Sequence, residues 1–309
     1  MSEKRRRLLL AGAAFTPALA LPGFVAPAHA QNTPLLRKRI PSSGEEIPIV
    51  GLGTARRYDS GGTPEQRAAL LETLRRFGGL GASVIDTAPV YGDAETVVGD
   101  LVAELKLRAK LFLATKVSTG GGREAGVAQI EGSFKRLRTS KIDLIAVHNL
   151  RGTDLHLPTL RELKQTGRIR YLGITTSFDG QYDDFVATMR RERFDFIQVD
   201  YALDNRRAGD TILPLAAERG MAVMINLPFG RGRLMRAVTG RPLPPWAAEF
   251  DVKTWPQFFL KYIVSHPAVT CAIPGMARAE YVEDNLGAAH GRLPDAALRR
   301  RMEGFIDAL

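Results

Sequence analysis

Eight short apolar runs, each followed by a stretch with helical periodicity, constrain this chain more than any other feature. The runs are Val50–Thr54, Ser83–Ala88, Leu111–Val117, Ile142–Asn149, Arg170–Thr176, Phe196–Ala202, Ala222–Leu227 and Val269–Pro274. Most are apolar at odd and even positions alike, as strands of a parallel sheet covered on both faces must be. Helical patterns lie between them at Thr63–Phe77, Ala94–Leu105, Arg123–Leu137, Leu157–Thr166, Tyr182–Arg193, Thr211–Arg219 and Gln257–Ser265. Gly167 and Gly220 fall where helix C-termini take a left-handed residue. This repetition predicts an α/β fold, an eight-stranded parallel (β/α) TIM-type barrel. Arg278–Gly291 supplies its eighth helix and Asp295–Leu309 an extra C-terminal one, while an N-terminal β-hairpin over Leu36–Ile49 turns at Ser42-Ser43-Gly44. A doubly wound open sheet is the alternative.

The ends of the chain narrow the class further. Residues 1–30 read as an export signal peptide: basic Lys4-Arg5-Arg6-Arg7, an apolar stretch Leu8–Leu21, then Ala28-His29-Ala30 as a cleavage motif. Arg5-Arg6-Arg7-Leu8-Leu9 resembles a twin-arginine signal, which sends folded proteins to the periplasm. Residues 31–309 then form the barrel domain. Removing the leader lowers the net charge from +10 to +7, and the remaining basic residues are scattered with no aromatic-interleaved patch. Nucleic acid is therefore not an expected partner. Beyond the leader no apolar run approaches the ~18 residues of a spanning helix. One cysteine, Cys271 in an apolar run, rules out an intramolecular disulfide framework, and no metal-ligand spacing is present.

Four polar residues stand out against this background. Asp86, Lys116 and His148 each end an apolar run, and Tyr91 follows Asp86 in Asp86-Thr87-Ala88-Pro89-Val90-Tyr91-Gly92. In a TIM-type barrel, catalytic groups sit at the C-terminal ends of strands and in the loops that follow. Singly, each has a plain reading: an exposed lysine, a core histidine, a helix-capping aspartate. Jointly, at successive strand ends, they supply what a carbonyl needs while it receives hydride. Tyrosine is a poor acid at neutral pH, and a nearby ammonium favours its phenolate and lowers its pKa. Lys116 could instead form a Schiff base, as lyases do, though Asp86 would keep it protonated.

With Gly51-Leu52-Gly53-Thr54, Glu95 and Gly99, Thr115-Lys116, Gly173-Ile174-Thr175, Pro228-Phe229-Gly230-Arg231-Gly232 and Ile273-Pro274-Gly275 before Asp284-Asn285, the mature chain resembles the aldo-keto reductase superfamily. The resemblance implies a catalytic tetrad of Asp86, Tyr91, Lys116 and His148, with Tyr91 as general acid. It implies NADPH as cofactor, with NADH possible, bound in extended form across the strand ends. Thr175, Thr176 and Gln198 would meet the carboxamide, and Asn226 and Pro228 stand at the nicotinamide face. Gly230-Arg231-Gly232 would cover the pyrophosphate. Gly275, Met276, Ala277, Arg278, Tyr281, Asp284 and Asn285 would hold the adenosine half. Two departures are visible: Thr175-Thr176 replaces the Ser-Asn of many members, and Asn226 stands where they stack an aromatic ring. Tyr58 and Asn149 are the expected substrate contacts, for a small aldehyde or ketone, and a monomer is expected. Arg56 and Arg57 at the mouth would favour an anionic substrate, although a solvated arginine pair is the plainer reading. A nucleotide-binding barrel with weak catalysis is a further alternative.

Overall fold

A computed structural model describes residues 34–58 and 62–309. The predicted export signal lies outside the described residues. The chain begins with an antiparallel hairpin of β1 (Arg37–Arg39) and β2 (Glu46–Pro48), followed by β3 (Leu52–Gly53). Helices and strands then alternate: α1 (Pro64–Gly79), β4 (Val84–Asp86), α2 (Ala94–Glu104), β5 (Phe112–Val117), α3 (Gly122–Arg136), β6 (Ile142–Val147), α4 (Thr153–Gln165), β7 (Ile169–Thr175) and α5 (Tyr182–Arg191). Next come β8 (Phe196–Asp200), α6 (Ile212–Glu218), β9 (Ala222–Asn226), α7 (Arg233–Ala237), α8 (Trp255–Val264), β10 (Cys271–Ala272), α9 (Ala279–Gly287) and α10 (Ala296–Asp307).

Strands β3 to β10 pair in parallel in sequence order. Bridges Val50 to Ala272 and Gly53 to Gly275 join the last strand to the first, with Gly51 N–H donating to the Ala272 carbonyl at 2.8 Å. The eight strands thus curl into the expected barrel. The closure needs glycine: a Cβ on Gly53 would lie 2.7 Å from the Ile273 carbonyl oxygen.

Because side chains alternate along a strand, each strand writes two cores. Ile85, Leu113, Ile145, Leu172, Ile197, Val223 and Ile225 belong to the outer core, shared with residues of the helix ring such as Leu74, Val98, Phe134, Leu160 and Phe185. Val84, Phe112, Ala114, Leu144, Tyr171, Phe196, Ala222, Met224, Cys271 and Ile273 fill the barrel interior. Phe112, Tyr171 and Phe196 stack there with centroids 5.5 to 5.8 Å apart. Ile40 and Ile47 of the hairpin join this inner cluster, and Tyr171 Oη donates to Ser43 Oγ at 2.7 Å. The hairpin therefore plugs the end of the barrel opposite the strand C-termini.

The differences from expectation are local. Helix α4 starts at Thr153, a turn before the predicted Leu157, and carries Pro158 inside it. The stretch 233–255, to which no helical pattern was assigned, holds α7 and a 3-10 turn Pro245–Phe250. Its order comes from aromatic packing: Trp246 meets Phe258 and Phe305, and Trp255 meets Phe258 and Phe259, all within 6.0 Å between centroids. Rings of this kind supply much of the packing energy in such clusters. Among the described residues, no helix is long and apolar enough to cross a membrane.

Candidate active site

The period of two decides what stands at the open end of the barrel. Val84, Ala114, Phe196 and Met224 point inward, so the residues two positions on, Asp86, Lys116, Gln198 and Asn226, share that inward face one layer higher. Alanine at 146 is likewise followed, two residues later, by His148, which lies in a short 3-10 turn just beyond β6.

Lys116 is 1% exposed and donates from Nζ to Asp86 Oδ2 at 2.7 Å and to the Thr87 carbonyl at 2.8 Å. Gln198 Nε2 donates to the other Asp86 oxygen at 3.0 Å and to Met224 Sδ at 3.3 Å. The carboxylate is thereby held from two strands. Above this pair, the Tyr91 ring centroid lies 5.1 Å from Lys116 Nζ, and the His148 ring meets Tyr91 edge to face at 5.8 Å and 84°. All four residues of the expected tetrad converge.

Tyr91 is delivered by a turn in which its N–H donates to the Ala88 carbonyl and its own carbonyl accepts from Ala94 N–H, the first residue of α2. That helix is clamped. Buried Glu95 accepts from Thr115 Oγ1, Ser133 Oγ and Arg136 Nε, and a Cβ on Gly99 would lie 2.1 Å from the Arg136 carbonyl oxygen. Glu95 and Gly99 therefore act by fixing the helix that fixes Tyr91. Their neighbourhood in the motif signalled family but not this role.

Burial raises the Tyr91 pKa above the ordinary phenol value even though Lys116 draws it down. This corrects the expectation of a net decrease. For Lys116, burial disfavours the ammonium, but Asp86 and Tyr91 outweigh it and the pKa is raised. Such a lysine stays protonated, which argues against Schiff-base chemistry, since that requires the free amine. His148 is pushed down to about 3 by burial and then by Lys116, so its imidazole is neutral at ordinary pH.

A cavity of about 760 Å³ opens over this cluster. Of the predicted site residues, Asp86, Tyr91, His148, Asn149, Thr175, Gln198, Asn226, Pro228, Arg231, Gly232 and Gly275 line it. Lys116 lies beneath, and Gly230 borders a neighbouring pocket with Arg231. Tyr58 does not reach the cavity wall: it is fully buried, its hydroxyl has no partner among the described residues, and its place is in the outer core. Thr176 is also buried, its hydroxyl donating to Gln181 Oε1 at 2.8 Å and its carbonyl accepting from Asn226 Nδ2 at 3.1 Å. Met276, Ala277, Arg278, Tyr281, Asp284 and Asn285 lie outside the cavity wall, at the start of α9 and along it. There Met276 and Asn285 are buried, while Asp284 accepts from Thr254 Oγ1 and Gln257 Nε2. Not anticipated as site residues were Thr54, Val90, Ser177, Phe229, Met235 and Ile273, all of which line the cavity. Thr54, Val90, Phe229 and Ile273 stood inside the quoted motifs without being singled out; Ser177 and Met235 carried no signal.

His148 Nδ1, Asn149 Oδ1 and Asn226 Oδ1 are buried with no hydrogen-bond partner among the described residues. Buried polar atoms are ordinarily satisfied, and these three belong to residues that line the cavity, where a bound molecule could pair with them. Asn226 Oδ1, an acceptor at the end of β9, fits the N–H of a carboxamide.

The profile of the Aldo/keto reductase family matches residues 49–302. The chain belongs to the aldo/keto reductase family. That membership makes the protein an NAD(P)H-dependent oxidoreductase. Aldo-keto reductase YhdN of Bacillus subtilis is 31% identical over 65% of this chain and 64% of its own length. Methylglyoxal reductase YeaE of Escherichia coli is 29% identical over 85% of this aldo-keto reductase and 93% of its own length. An aldo-keto reductase from Klebsiella pneumoniae, solved with NADPH, superposes with a TM-score of 0.74 at 25% identity, covering 89% of this chain and 96% of its own.

Proposed function

We propose that this aldo-keto reductase reduces a small aldehyde or ketone to the alcohol, with Tyr91 donating the proton and NADPH as the partner in hydride transfer. The observation that carries the reading is the buried Asp86–Lys116 pair at 2.7 Å beneath the Tyr91 ring, with neutral His148 at its edge. When bound, the dinucleotide supplies hydride to the carbonyl carbon. The protein's own residues do the rest. The carbonyl oxygen gains negative charge as its carbon is attacked; the Tyr91 hydroxyl gives it a proton, and the Lys116 ammonium stabilises the phenolate left behind. Asp86 holds that ammonium in place and charged. The neutral imidazole of His148 donates a hydrogen bond to the same oxygen, orienting it toward Tyr91. Asn226, Thr175 and Gln198 at the strand ends would seat the carboxamide, Arg231 the pyrophosphate, and Arg278 at the start of α9 a further phosphate, as a helix N-terminus favours.

Titrating residues 31–309 with NADPH while following its fluorescence, then adding a reactive aldehyde, tests the whole assignment. Saturable binding followed by NADPH oxidation on aldehyde addition is the expected result; tight binding with no oxidation across an aldehyde panel would leave only a nucleotide-binding barrel. The twin-arginine-like leader supports a periplasmic location. Fractionation of a host expressing the full chain should find the protein in the periplasm, and replacing Arg5-Arg6-Arg7 by lysines should retain it in the cytoplasm; recovery inside with the leader intact contradicts that address.

A further inference from the structure

We propose that the carbonyl substrate carries a carboxylate, held at the cavity mouth by Arg56 and Arg57. This rests on the reductase reading above and names the substrate class for the same site. Both arginines line the cavity that contains Tyr91 and His148. They are presented there by a tight turn rather than by a free tether. The Thr54 carbonyl accepts the N–H of Arg57 at 3.0 Å and of Tyr58 at 3.1 Å, and Arg56 takes the left-handed conformation at φ 56°. Tyr58, fully buried, anchors the turn from below. The Arg57 stem lies against Gly275, where a Cβ would sit in van der Waals contact 3.4 Å from Arg57 Cγ.

Charge makes the second part of the case. Many surface arginines elsewhere are paired with carboxylates, as in Arg123 with Glu162 and Arg168 with Glu131. Among the described residues, neither Arg56 nor Arg57 has an ion pair or a side-chain hydrogen bond. The carboxylate that lines the cavity, Asp86, is matched by Lys116 at 2.7 Å. An entering anion therefore meets, among the described residues, the guanidiniums of Arg56 and Arg57 without a carboxylate partner, and an acid in the cavity wall already matched by a lysine. Guanidinium forks suit a carboxylate, which accepts two parallel hydrogen bonds. In the seating proposed above the phosphates of the dinucleotide would meet Arg231 and Arg278, which leaves this pair for the substrate.

The test compares charged and neutral versions of one skeleton: 4-oxobutanoate and 4-carboxybenzaldehyde, each against its methyl ester, with saturating NADPH. The parent enzyme should favour both acids by about tenfold or more in kcat/KM, mostly through KM, as expected for one charge-assisted contact or more. Raising salt toward about 1 M should shrink the preference, because screening then acts within roughly 3 Å. Arg56→Gln with Arg57→Gln should bring acid and ester to near parity. Esters reduced as well as the acids by the parent would overturn the proposal while leaving the reductase standing. An unchanged acid preference in the double variant, with weakened NADPH binding, would also overturn it and assign the pair to the cofactor. Failure of all four compounds with NADPH bound would count against the reductase reading itself.

Discussion

Tyr91→Phe lowers kcat for aldehyde reduction by about 10²- to 10⁴-fold while the Kd for NADPH stays within about twofold, since only the acid is lost. The phenyl ring that remains can keep the edge contact with His148 and the place over Lys116, so packing is preserved. The parental pH profile should agree with this assignment. With Tyr91 as the proposed acid, reduction would need the protonated phenol, so the rate should fall as pH rises through its pKa, and burial lifts that value above the ordinary range. The alkaline limb is therefore expected above pH about 10. His148, with its pKa near 3, contributes no acid limb between about pH 5 and 9. Steady-state rates across pH, with a parental rate for Tyr91→Phe as the contrary outcome, decide whether this hydroxyl is the acid.

Lys116→Met should cost stability as well as activity. Removing one member of a buried ion pair strands the other, typically at 3–5 kcal/mol, and Asp86 is only 4% exposed. For a domain of this size that is a fall in Tm of roughly 10 °C. The phenolate also loses its counter-charge, so kcat should drop by about 10²-fold or more. Adding Asp86→Asn removes the stranded charge while leaving an oxygen that can still accept from Gln198 Nε2. The double variant should recover most of the Tm and none of the activity. Thermal unfolding of the three proteins checks this directly; an unaltered Tm for Lys116→Met alone would mean that the pair contributes no net stabilisation.

Most of the barrel was legible because its strands are short, uniformly apolar and punctuated by glycine. The convergence of Asp86, Tyr91, Lys116 and His148 was legible for a related reason: three of them end or follow apolar runs at successive strand ends. What escaped has a physical cause in each case. Tyr58 was expected at the substrate because it follows the first strand, yet the turn closed by the Thr54 carbonyl sends its ring into the outer core. Thr176 was expected at the carboxamide, but its hydroxyl is taken by Gln181. Gln198 lines the cavity as expected, though its amide nitrogen serves Asp86, a pairing between distant strands that no local pattern reveals. The left-handed backbones at Leu227 and Arg231 shape the rim without glycine, so nothing in those residue types announced them. The Tyr91 pKa was misjudged because the sequence shows the ammonium but not the depth at which it lies.

The hairpin seal formed by Ile40 and Ile47 has a kinetic meaning. With the floor shut and the inner layers filled by rings, the catalytic chamber is a cul-de-sac. Reactant, product and the reacting end of the dinucleotide must share one doorway, so whatever sits deepest leaves last. Widening the floor would loosen the scaffold without offering traffic a second exit; changing the rim would alter the order and rate at which molecules pass.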